Sequence, residues 1–329
     1  MTSEHTRESI RAGLYAVIDI GTVTCRFLML RVHPDGSWEQ LARGYRICNL
    51  GQGVDATGRL REDAMARVED AVAAFLAHRN ELAVAEGVAG EAVPTVCLAT
   101  SASRDASNAG EFRARIEALG AHIAIIPGET EAALSFAGAA LDYAGRPVVV
   151  IDIGGGSTEI IAGVSGNPPA FAHSFQVGCR RITERFLVAD PPTAEQLAAA
   201  RTWVRGEFAT YIMSVRSAGF GGAPLVAVAG TATSVVSVEK ALVPYDPAQV
   251  HGVEVSRDIL QRQIAIYAGQ TVAERSATVG LDPKRGDVIL GGLIILDEIL
   301  DLFAVPSYTA SETDLMHGAI LAMARGTRF

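Results

Sequence analysis

The feature that most constrains the fold of this chain is a pentapeptide that occurs twice. Residues Val17 to Gly21 and Val150 to Gly154 both read Val-Ile-Asp-Ile-Gly, and a second apolar stretch follows each copy. An apolar, β-branched run that ends at an aspartate and a glycine is typical of a strand entering a tight turn. The repeat therefore predicts two similar half-domains that face each other across a cleft.

The second copy continues into a glycine-rich turn, Gly154-Gly155-Gly156, and then into Ser157-Thr158-Glu159. Glycines can adopt positive φ, and their amides, unshielded by Cβ atoms, can approach an anion closely. The turn is thus predicted to bind phosphate, although a purely structural turn is the alternative. An acid at a strand end beside such donors suits Mg²⁺ held between carboxylates and phosphate oxygens.

Strand triplets alternate with helices along the chain, which predicts an α/β fold with two similar lobes. The predicted triplets cover 14–21, 25–32 and 38–50, then 148–153, 158–164 and 170–177. Helical periodicity indicates helices over 61–82 and 129–143, among others. Residues 100–105 are predicted as a polar loop, and Ser311 to Asp314 resembles a capping box that begins a final helix.

Composition excludes several classes of protein. With 329 residues, 49% hydrophobic residues and mean hydropathy of +0.24, the chain can bury a large core in more than one domain. The longest apolar stretch, 288–296, is broken by two glycines and is too short to span a membrane, and residues 1–11 are too polar for a signal sequence. We therefore expect a soluble, cytoplasmic protein.

The formal net charge of −9 argues against a nucleic-acid binder, so any polyanion must meet a local basic patch. Neither of the two lysines belongs to a P-loop, and no G-x-G-x-x-G follows either strand. The four cysteines are widely separated without a C-x-x-C pair, which argues against a zinc site and against a disulfide framework.

Several charged residues could carry chemistry, and each has an ordinary alternative. Glu131 lies in the first turn of a predicted helix, where an acid is favoured by the helix dipole whether or not it is functional. Arg104 is either a phosphate clamp or a solvated loop residue. The candidate basic patch, which charged helix starts would also explain, consists of Arg180, Arg181, Arg185, Lys284 and Arg285.

These motifs together resemble the exopolyphosphatase/guanosine pentaphosphatase (Ppx/GppA) family, within the acetate kinase, heat-shock protein and actin superfamily. The resemblance covers nearly the whole chain in order. Four features carry it: Asp19-x-Gly21, the segment 99–104 with Asn108, Gly128-x-x-Glu131-Ala132, and the run from Asp152 to Glu159. The glycine-rich run with Glu131 upstream is specific, and further matches lie at 178–187, 230–233 and 285–292.

The resemblance implies two ribonuclease H-like (actin-like) lobes flanking a cleft, one formed by 1–127 with 311–329 and the other by 128–310. It implies Mg²⁺-dependent release of terminal phosphate from inorganic polyphosphate, or removal of the 5′-terminal phosphate of guanosine pentaphosphate. It also implies a homodimer, and neither nucleic acid nor a membrane is an expected partner.

The family's site residues map onto this chain one by one. Glu131 is similar to the catalytic glutamate that polarises water, and Arg104 to the arginine that grips the terminal phosphate. Asp152 and Glu159 are similar to the acids that hold Mg²⁺ or help to place the water. The residues expected around the phosphate groups are Asp19, Gly21, Thr22, Thr24, Gly154, Gly155, Gly156, Ser157, Thr158, Gly230 and Thr231.

The chain departs from the family pattern at two places. Val23 stands where members carry a polar Asn, and 313–318 replaces a run that contains an arginine. The helical C-terminal extension of long members does not follow residue 329, which favours shorter substrates. The departures motivate one rival function, a non-catalytic sensor of polyphosphate or alarmone. The turn at 230–233 motivates another, a small-molecule kinase.

Overall fold

The computed structural model describes residues 10–329; the polar start of the chain discussed above lies mostly outside this range. The described strands are β1 (Gly13–Ile20), β2 (Thr24–Val32), β3 (Trp38–Ile47), β4 (Thr95–Ala99), β5 (Ile123–Ile125), β6 (Pro147–Ile153), β7 (Thr158–Val164), β8 (Phe171–Phe175), β9 (Leu225–Val228), β10 (Glu254–Ser256) and β11 (Ser307–Ala310). The α-helices are α1 (Val54–Thr57), α2 (Glu62–Ala85), α3 (Ser101–Asp105), α4 (Ala109–Ala118), α5 (Gly128–Ala139), α6 (Cys179–Phe186), α7 (Ala194–Val215), α8 (Ala229–Glu239), α9 (Arg257–Ala268), α10 (Val272–Ser276), α11 (Ile289–Phe303) and α12 (Leu315–Ala324).

The strands form two sheets of matching topology. The first has the order β3-β2-β1-β4-β5, with β1 to β3 antiparallel and β4 and β5 parallel to β1. The second has the order β8-β7-β6-β9-β11 with the same directions, and β10 is added at its edge. The predicted α/β class with two similar lobes is thus confirmed, and the repeat marks the central strand of each sheet.

Each sheet buries both faces, because successive side chains of a strand point to opposite sides. On β1, Ile18 belongs to the core shared with α2 and α4, whereas its neighbour Val17 packs with α12. On β6, Ile151 faces the core formed with α7 and α11, and Val150 faces α5. The near-continuous apolar strands of the repeat follow from this two-sided burial.

Helices α5 and α12 cross where two glycines allow their backbones to touch. A Cβ atom on Gly138 would lie 1.9 Å from the carbonyl oxygen of Asp314, and one on Gly318 would lie 2.0 Å from that of Leu134. Helix α12 also packs on β1 and β2, and α5 on β6, β7 and β8. From this packing we propose that the lobes divide at 127/128 and 310/311.

Two local predictions were wrong, and two elements were missed. Residues 101–105 form the short helix α3 rather than a polar loop. The last helix begins at Leu315, with Asp314 as its N-cap in a capping box with His317, so Ser311 is not the cap. Helix α6 and strand β10 were not predicted, because eight-residue and three-residue elements carry too little periodicity.

No helix among residues 10–329 is long and apolar enough to cross a membrane.

Candidate active site

The two copies of the pentapeptide end in turns of the same geometry. The amide of Gly21 donates to the carbonyl oxygen of Thr24 at 3.0 Å, and the amide of Gly154 donates to that of Ser157 at 2.9 Å. In each hairpin the aspartate stands two residues before this glycine, near the end of the central strand. The duplication therefore extends from the sheet order to the turn itself.

The two turns lie against each other. A Cβ atom on Gly155 would come within 2.6 Å of Val23 Cγ2, and one on Gly156 within 2.4 Å of Ser101 Oγ and 2.9 Å of Thr22 Oγ1. None of the three consecutive glycines adopts positive φ. The structure thus gives another reason for these glycines than the predicted one: Gly155 and Gly156 permit the close approach of the opposing lobe.

The amides of Gly155, Gly156 and Ser157 donate to no acceptor within residues 10–329. The carbonyl oxygen of Gly155, in contrast, accepts a hydrogen bond of 2.9 Å from the amide of Arg180 at the start of α6. Successive free amides in a turn are a common anion-binding arrangement. The predicted phosphate loop therefore has its donors available.

Three carboxylates are buried close to this turn: Glu131 on α5, Asp152 on β6 and Glu159 on β7. Asp152 and Glu159 face each other across the two strands. The pKa of Glu131 is raised to about 7: burial is the main cause, Arg104 opposes it, and the charges of Asp152 and Asp19 add to the rise. Burial likewise raises the pKa of Asp152 to about 6 and that of Glu159 well above its usual value.

Arg104 lies directly beside Glu131. Its Nη1 atom donates to Glu131 Oε2 at 2.6 Å and to the carbonyl oxygen of Ile126 at 2.9 Å. Its Nη2 atom is buried without a hydrogen-bond partner among the described residues, as are the hydroxyls of Ser101 and Ser103. Buried polar atoms are normally paired, so three orphaned donors on one short helix are suited to receiving ligand oxygens.

The acid of the first hairpin is held differently. Arg26 on β2 donates through Nε to Asp19 Oδ2 at 2.7 Å and also forms an ion pair with Asp314, the N-cap of α12. Burial raises the pKa of Asp19, and Arg26 opposes this effect. The pKa of Asp314 is held well below its usual range: burial acts against this, but Arg26 and His317 outweigh it.

A cleft of about 780 Å³ opens beside this site. Its walls include residues from both lobes, among them Thr24, Arg26, Arg43, Tyr45, Gly230, Leu242, Tyr245, Leu281, Arg285 and Glu312. Arg285 Nη2 lies 3.3 Å from Thr24 Oγ1, and its guanidinium covers Gly230, where a Cβ atom would be 2.0 Å from Nη1. Arg26 joins the two regions, since it lines the cleft and binds Asp19.

Sequence and structure comparisons identify relatives of this chain. Residues 31–326 match the profile of the Ppx/GppA phosphatase family. The chain belongs to that family. Exopolyphosphatase 2 of Mycobacterium tuberculosis is 35% identical over 330 residues, which cover 94% of this chain and 98% of the relative.

Solved structures agree with this assignment to the Ppx/GppA family. The crystal structure of an exopolyphosphatase-like protein is 31% identical, has a TM-score of 0.83 and covers 95% of this chain and 99% of that one. The Aquifex aeolicus member of the Ppx/GppA family is 27% identical, with a TM-score of 0.74 and coverage of 94% and 97%. The predicted family and the enzyme class, a phosphoanhydride hydrolase, are therefore confirmed.

Not every predicted site residue has a free side chain in this Ppx/GppA member. The hydroxyl of Thr158 donates to the carbonyl oxygen of Val177 at 2.5 Å in the interior. Thr231 is buried against α11, where a Cβ atom on Gly292 would lie 2.4 Å from its Oγ1. Their side chains are thus used in packing, whereas Thr24 and Gly230 line the cleft.

The predicted basic patch is instead divided between two regions. On α6, Arg180 pairs with Asp287 at 2.9 Å and binds Asn49, while Arg181 pairs with Asp105 at 2.8 Å and with Asp55. Arg185 stacks on Trp203 and lies 3.5 Å from Asp55. These three arginines join the lobes through first-lobe partners. Of the other two, Lys284 is exposed and Arg285 lines the cleft.

Both departures from the family pattern have a structural role here. Val23, in place of a polar residue, packs in an apolar cluster with Ile47, Cys179 and Val288. In the segment 313–318, Asp314 caps α12 and binds Arg26. Arg26 was not among the predicted site residues, and Asp314 was predicted only as part of a capping box. The signal available for Arg26 was its position opposite Asp19 in a predicted hairpin.

The carboxylate pair fits a magnesium ion that is completed by substrate. Within the described part of the chain, no group of three or more His, Cys, Asp or Glu residues could hold a metal ion by itself. Mg²⁺ usually binds through one or two carboxylates, water and substrate phosphates, and prefers hard oxygen ligands. Asp152 and Glu159 supply two such carboxylates beside the free amides of the glycine turn.

Proposed function

We propose that this protein is a Mg²⁺-dependent exopolyphosphatase, which removes the terminal phosphate of inorganic polyphosphate by attack of water. The observation that carries the proposal is the buried Glu131 carboxylate, whose pKa is raised to about 7 and which contacts Arg104 beside the Asp152 hairpin. A carboxylate with a pKa near neutrality is suited to general base catalysis. The homologous exopolyphosphatases support the choice of substrate.

In the proposed reaction, the terminal phosphoryl group receives hydrogen bonds from the amides of Gly155 to Ser157 and from Arg104. Glu131 accepts a proton from water as the water oxygen bonds to the terminal phosphorus. The bond from phosphorus to the bridging oxygen breaks, which yields orthophosphate and a polyphosphate shorter by one unit. Fixed donors around the transferred group supply most of the catalysis in phosphoryl transfer.

When bound, Mg²⁺ would be held by Asp152 and Glu159 and would neutralise charge on the phosphate oxygens. The remaining chain of the substrate would occupy the cleft, where Arg285 faces Thr24 and Gly230. A protein with a net charge of −9 must bind a polyanion through such local cations. Arg26 and Arg43 line the same cleft, but Asp19, Asp314 and Glu312 already neutralise much of their charge.

Release of orthophosphate from polyphosphate in the presence of Mg²⁺ tests the proposal. Glu131→Gln keeps the shape of the side chain but removes the base, so kcat should fall by about 10³-fold. Glu129→Gln is the matched control, since Glu129 is an exposed acid in the first turn of the same helix. Equal rates in the two variants would remove Glu131 from the mechanism.

The walls of the cleft favour a second candidate substrate, guanosine pentaphosphate. Tyr45, Leu242, Tyr245 and Leu281 give part of the cleft an apolar and aromatic surface, on which a nucleoside could pack. The comparison of kcat/KM for guanosine pentaphosphate and polyphosphate decides between them. Tight binding of either ligand without turnover would instead identify a sensor.

A further inference from the structure

Two serine hydroxyls contact the carboxylates of the second hairpin. Ser135 Oγ donates to Asp152 Oδ2 at 2.6 Å, and Ser174 Oγ donates to Glu159 Oε1 at 2.6 Å. Both distances lie in the range of charge-assisted O–H···O⁻ hydrogen bonds, which are stronger than neutral ones. Each of the two acids thus has its own hydroxyl donor.

The serines connect these acids to the helix that carries Glu131. Ser135 follows Glu131 by one helical turn on α5, so both side chains lie on the same face. Ser174 lies on β8 against the first residue of this helix, because a Cβ atom on Gly128 would be 2.6 Å from Ser174 Cβ. One serine therefore joins α5 to β6, and the other joins β8 to β7 beside the start of α5.

A hydroxyl and a guanidinium have different consequences for a carboxylate. Arg26 fixes Asp19 but also cancels its charge, whereas a serine fixes an acid and leaves its negative charge in place. Ser135 and Ser174 each engage one oxygen of their acid, and the Ser157 side chain in the glycine turn is a further hydrogen-bond donor that lowers the pKa of Glu159. These neutral donors leave the charge of each carboxylate available to a cation. Neutral donors therefore suit Asp152 and Glu159 if these acids bind a metal ion, because the negative charge that attracts the ion is not cancelled.

We propose that Ser135 and Ser174 are positioning residues, which orient the Asp152 and Glu159 carboxylates for Mg²⁺ relative to Glu131. The proposal rests on the proposed function, since it assigns the two acids to the metal. Outer hydrogen-bond partners of metal ligands typically change metal affinity by about 10- to 100-fold when they are removed.

The test compares Ser135→Ala and Ser174→Ala with Ser165→Ala. Ser165 is a matched control, because its buried hydroxyl donates to the carbonyl oxygen of Ala140 at 2.6 Å, at the other end of α5 and away from the acids. Two quantities are measured: the Mg²⁺ concentration for half-maximal phosphate release, and Mg²⁺ binding by titration calorimetry to the protein saturated with orthophosphate, the reaction product, whose oxygens complete the coordination of the ion. Both should weaken about tenfold in the two test variants and stay unchanged in the control.

Ser174→Thr retains a hydroxyl on a strand, where β-branched residues are accepted, and should restore Mg²⁺ binding. The positioning role is wrong if the alanine variants match Ser165→Ala in both titrations, or if they lose activity with unchanged Mg²⁺ binding. Wild-type protein that binds Mg²⁺ in a serine-dependent manner but releases no phosphate would contradict the proposed function alone.

Discussion

The two copies of the Val-Ile-Asp-Ile-Gly hairpin have the same fold, but their aspartates lie in different environments. Across the paired strands, Asp19 faces Arg26, whereas Asp152 faces Glu159. The turns that follow are closed by equivalent hydrogen bonds of 3.0 and 2.9 Å. The residue on the second strand of each hairpin therefore sets the environment of the aspartate: Arg26 neutralises Asp19, whereas Glu159 places a second acid opposite Asp152.

This difference indicates a division of labour between the copies. The Asp19–Arg26 pair extends to Asp314, so the first hairpin anchors the last helix of the chain. In the second hairpin, burial raises the pKa of both acids; nearby acids, Glu131 and Asp152, raise that of Glu159 further, whereas the charge of Arg26 lowers that of Asp152. The side chains that hydrogen-bond directly to Asp152 and Glu159 are nevertheless hydroxyls. Buried like charges are costly and are typical of functional sites. This supports the second hairpin as the one that takes part in the reaction.

Among changes to the two hairpins, the largest effect should follow from making the second hairpin less acidic. Glu159→Gln removes one of the two charges proposed to hold Mg²⁺ while keeping the size of the side chain. Loss of such an electrostatic group typically lowers kcat by about 10²- to 10³-fold, and phosphate release from polyphosphate measures it. Glu39→Gln, at an exposed acid of β3, serves as the control and should leave the rate unchanged. A rate within twofold of wild type for Glu159→Gln would mean that the acid pair is structural.

The opposite expectation holds for the first hairpin, where the main effect should be on stability. Arg26→Met leaves Asp19 and Asp314 buried without their partner, and breaking a buried pair costs about 3 kcal/mol or more of unfolding free energy. Urea denaturation at pH 7 measures this loss. Arg31→Met, on the same strand but with exposed partners, should cost less than about 1 kcal/mol. Similar losses for both variants would contradict the anchoring role.

Much of this architecture could be predicted, because the repeated sequence marks where a buried central strand ends in a turn. Apolar strands that end in Asp-x-Gly specify where each sheet has its centre, and the sheets follow that pattern on both sides. Helix starts were harder, since Asp314 caps α12 through its own side chain while Ser311 and Thr313 bond each other. Such choices depend on three-dimensional neighbours such as Arg26, which lies far away in sequence.

The candidate site was predicted in its acids but not in their partners. Glu131, Asp152 and Glu159 could be found because their motifs are specific, and they do lie close together. Ser135 and Ser174 could not, because a serine in a helix or strand has no distinctive pattern until its neighbour is known. The arginines of α6 were predicted without their partners too. They form a basic run in the sequence, but in the structure Arg181 forms ion pairs with Asp55 and Asp105 of the other lobe.

The dependence of stability on pH should report on the buried acids around the second hairpin. The folded-state pKa values of Glu131 and Asp152 are raised to about 7 and about 6, so the folded protein binds more protons than the unfolded chain between about pH 4 and 7. Stability should therefore fall as pH rises from 5 to 8, by about 4 kcal/mol from these two groups without Mg²⁺. In the first hairpin, burial raises the pKa of Asp19, which adds to the slope in the same direction, whereas Asp314 contributes none there because its lowered pKa places its loss at more acidic pH.

Urea denaturation at graded pH, with and without Mg²⁺, measures this slope. Added Mg²⁺ should flatten it, since the ion favours the ionised acids, and Glu159→Gln should flatten it in the metal-free protein. A stability that rises steadily from pH 5 to 8 would show that the second hairpin does not carry strained acids.

The smallest effect concerns the contact between the two turns. The second residue of the first turn is Thr22, whereas the equivalent residue of the second is Gly155, whose added Cβ would lie 2.6 Å from Val23 and 2.8 Å from Thr22. Gly155→Ala should therefore overpack the contact and cost about 1 kcal/mol of stability. Gly206→Ala, at an exposed position of α7, should instead be neutral or slightly stabilising, because alanine is the better helix former.

Val23→Ala in the Gly155→Ala background removes one of the crowded atoms. The double variant should therefore lose less unfolding free energy than the sum of the two single losses. Strict additivity would mean that the two turns do not press on each other, and the glycines would then have to be explained by the phosphate alone.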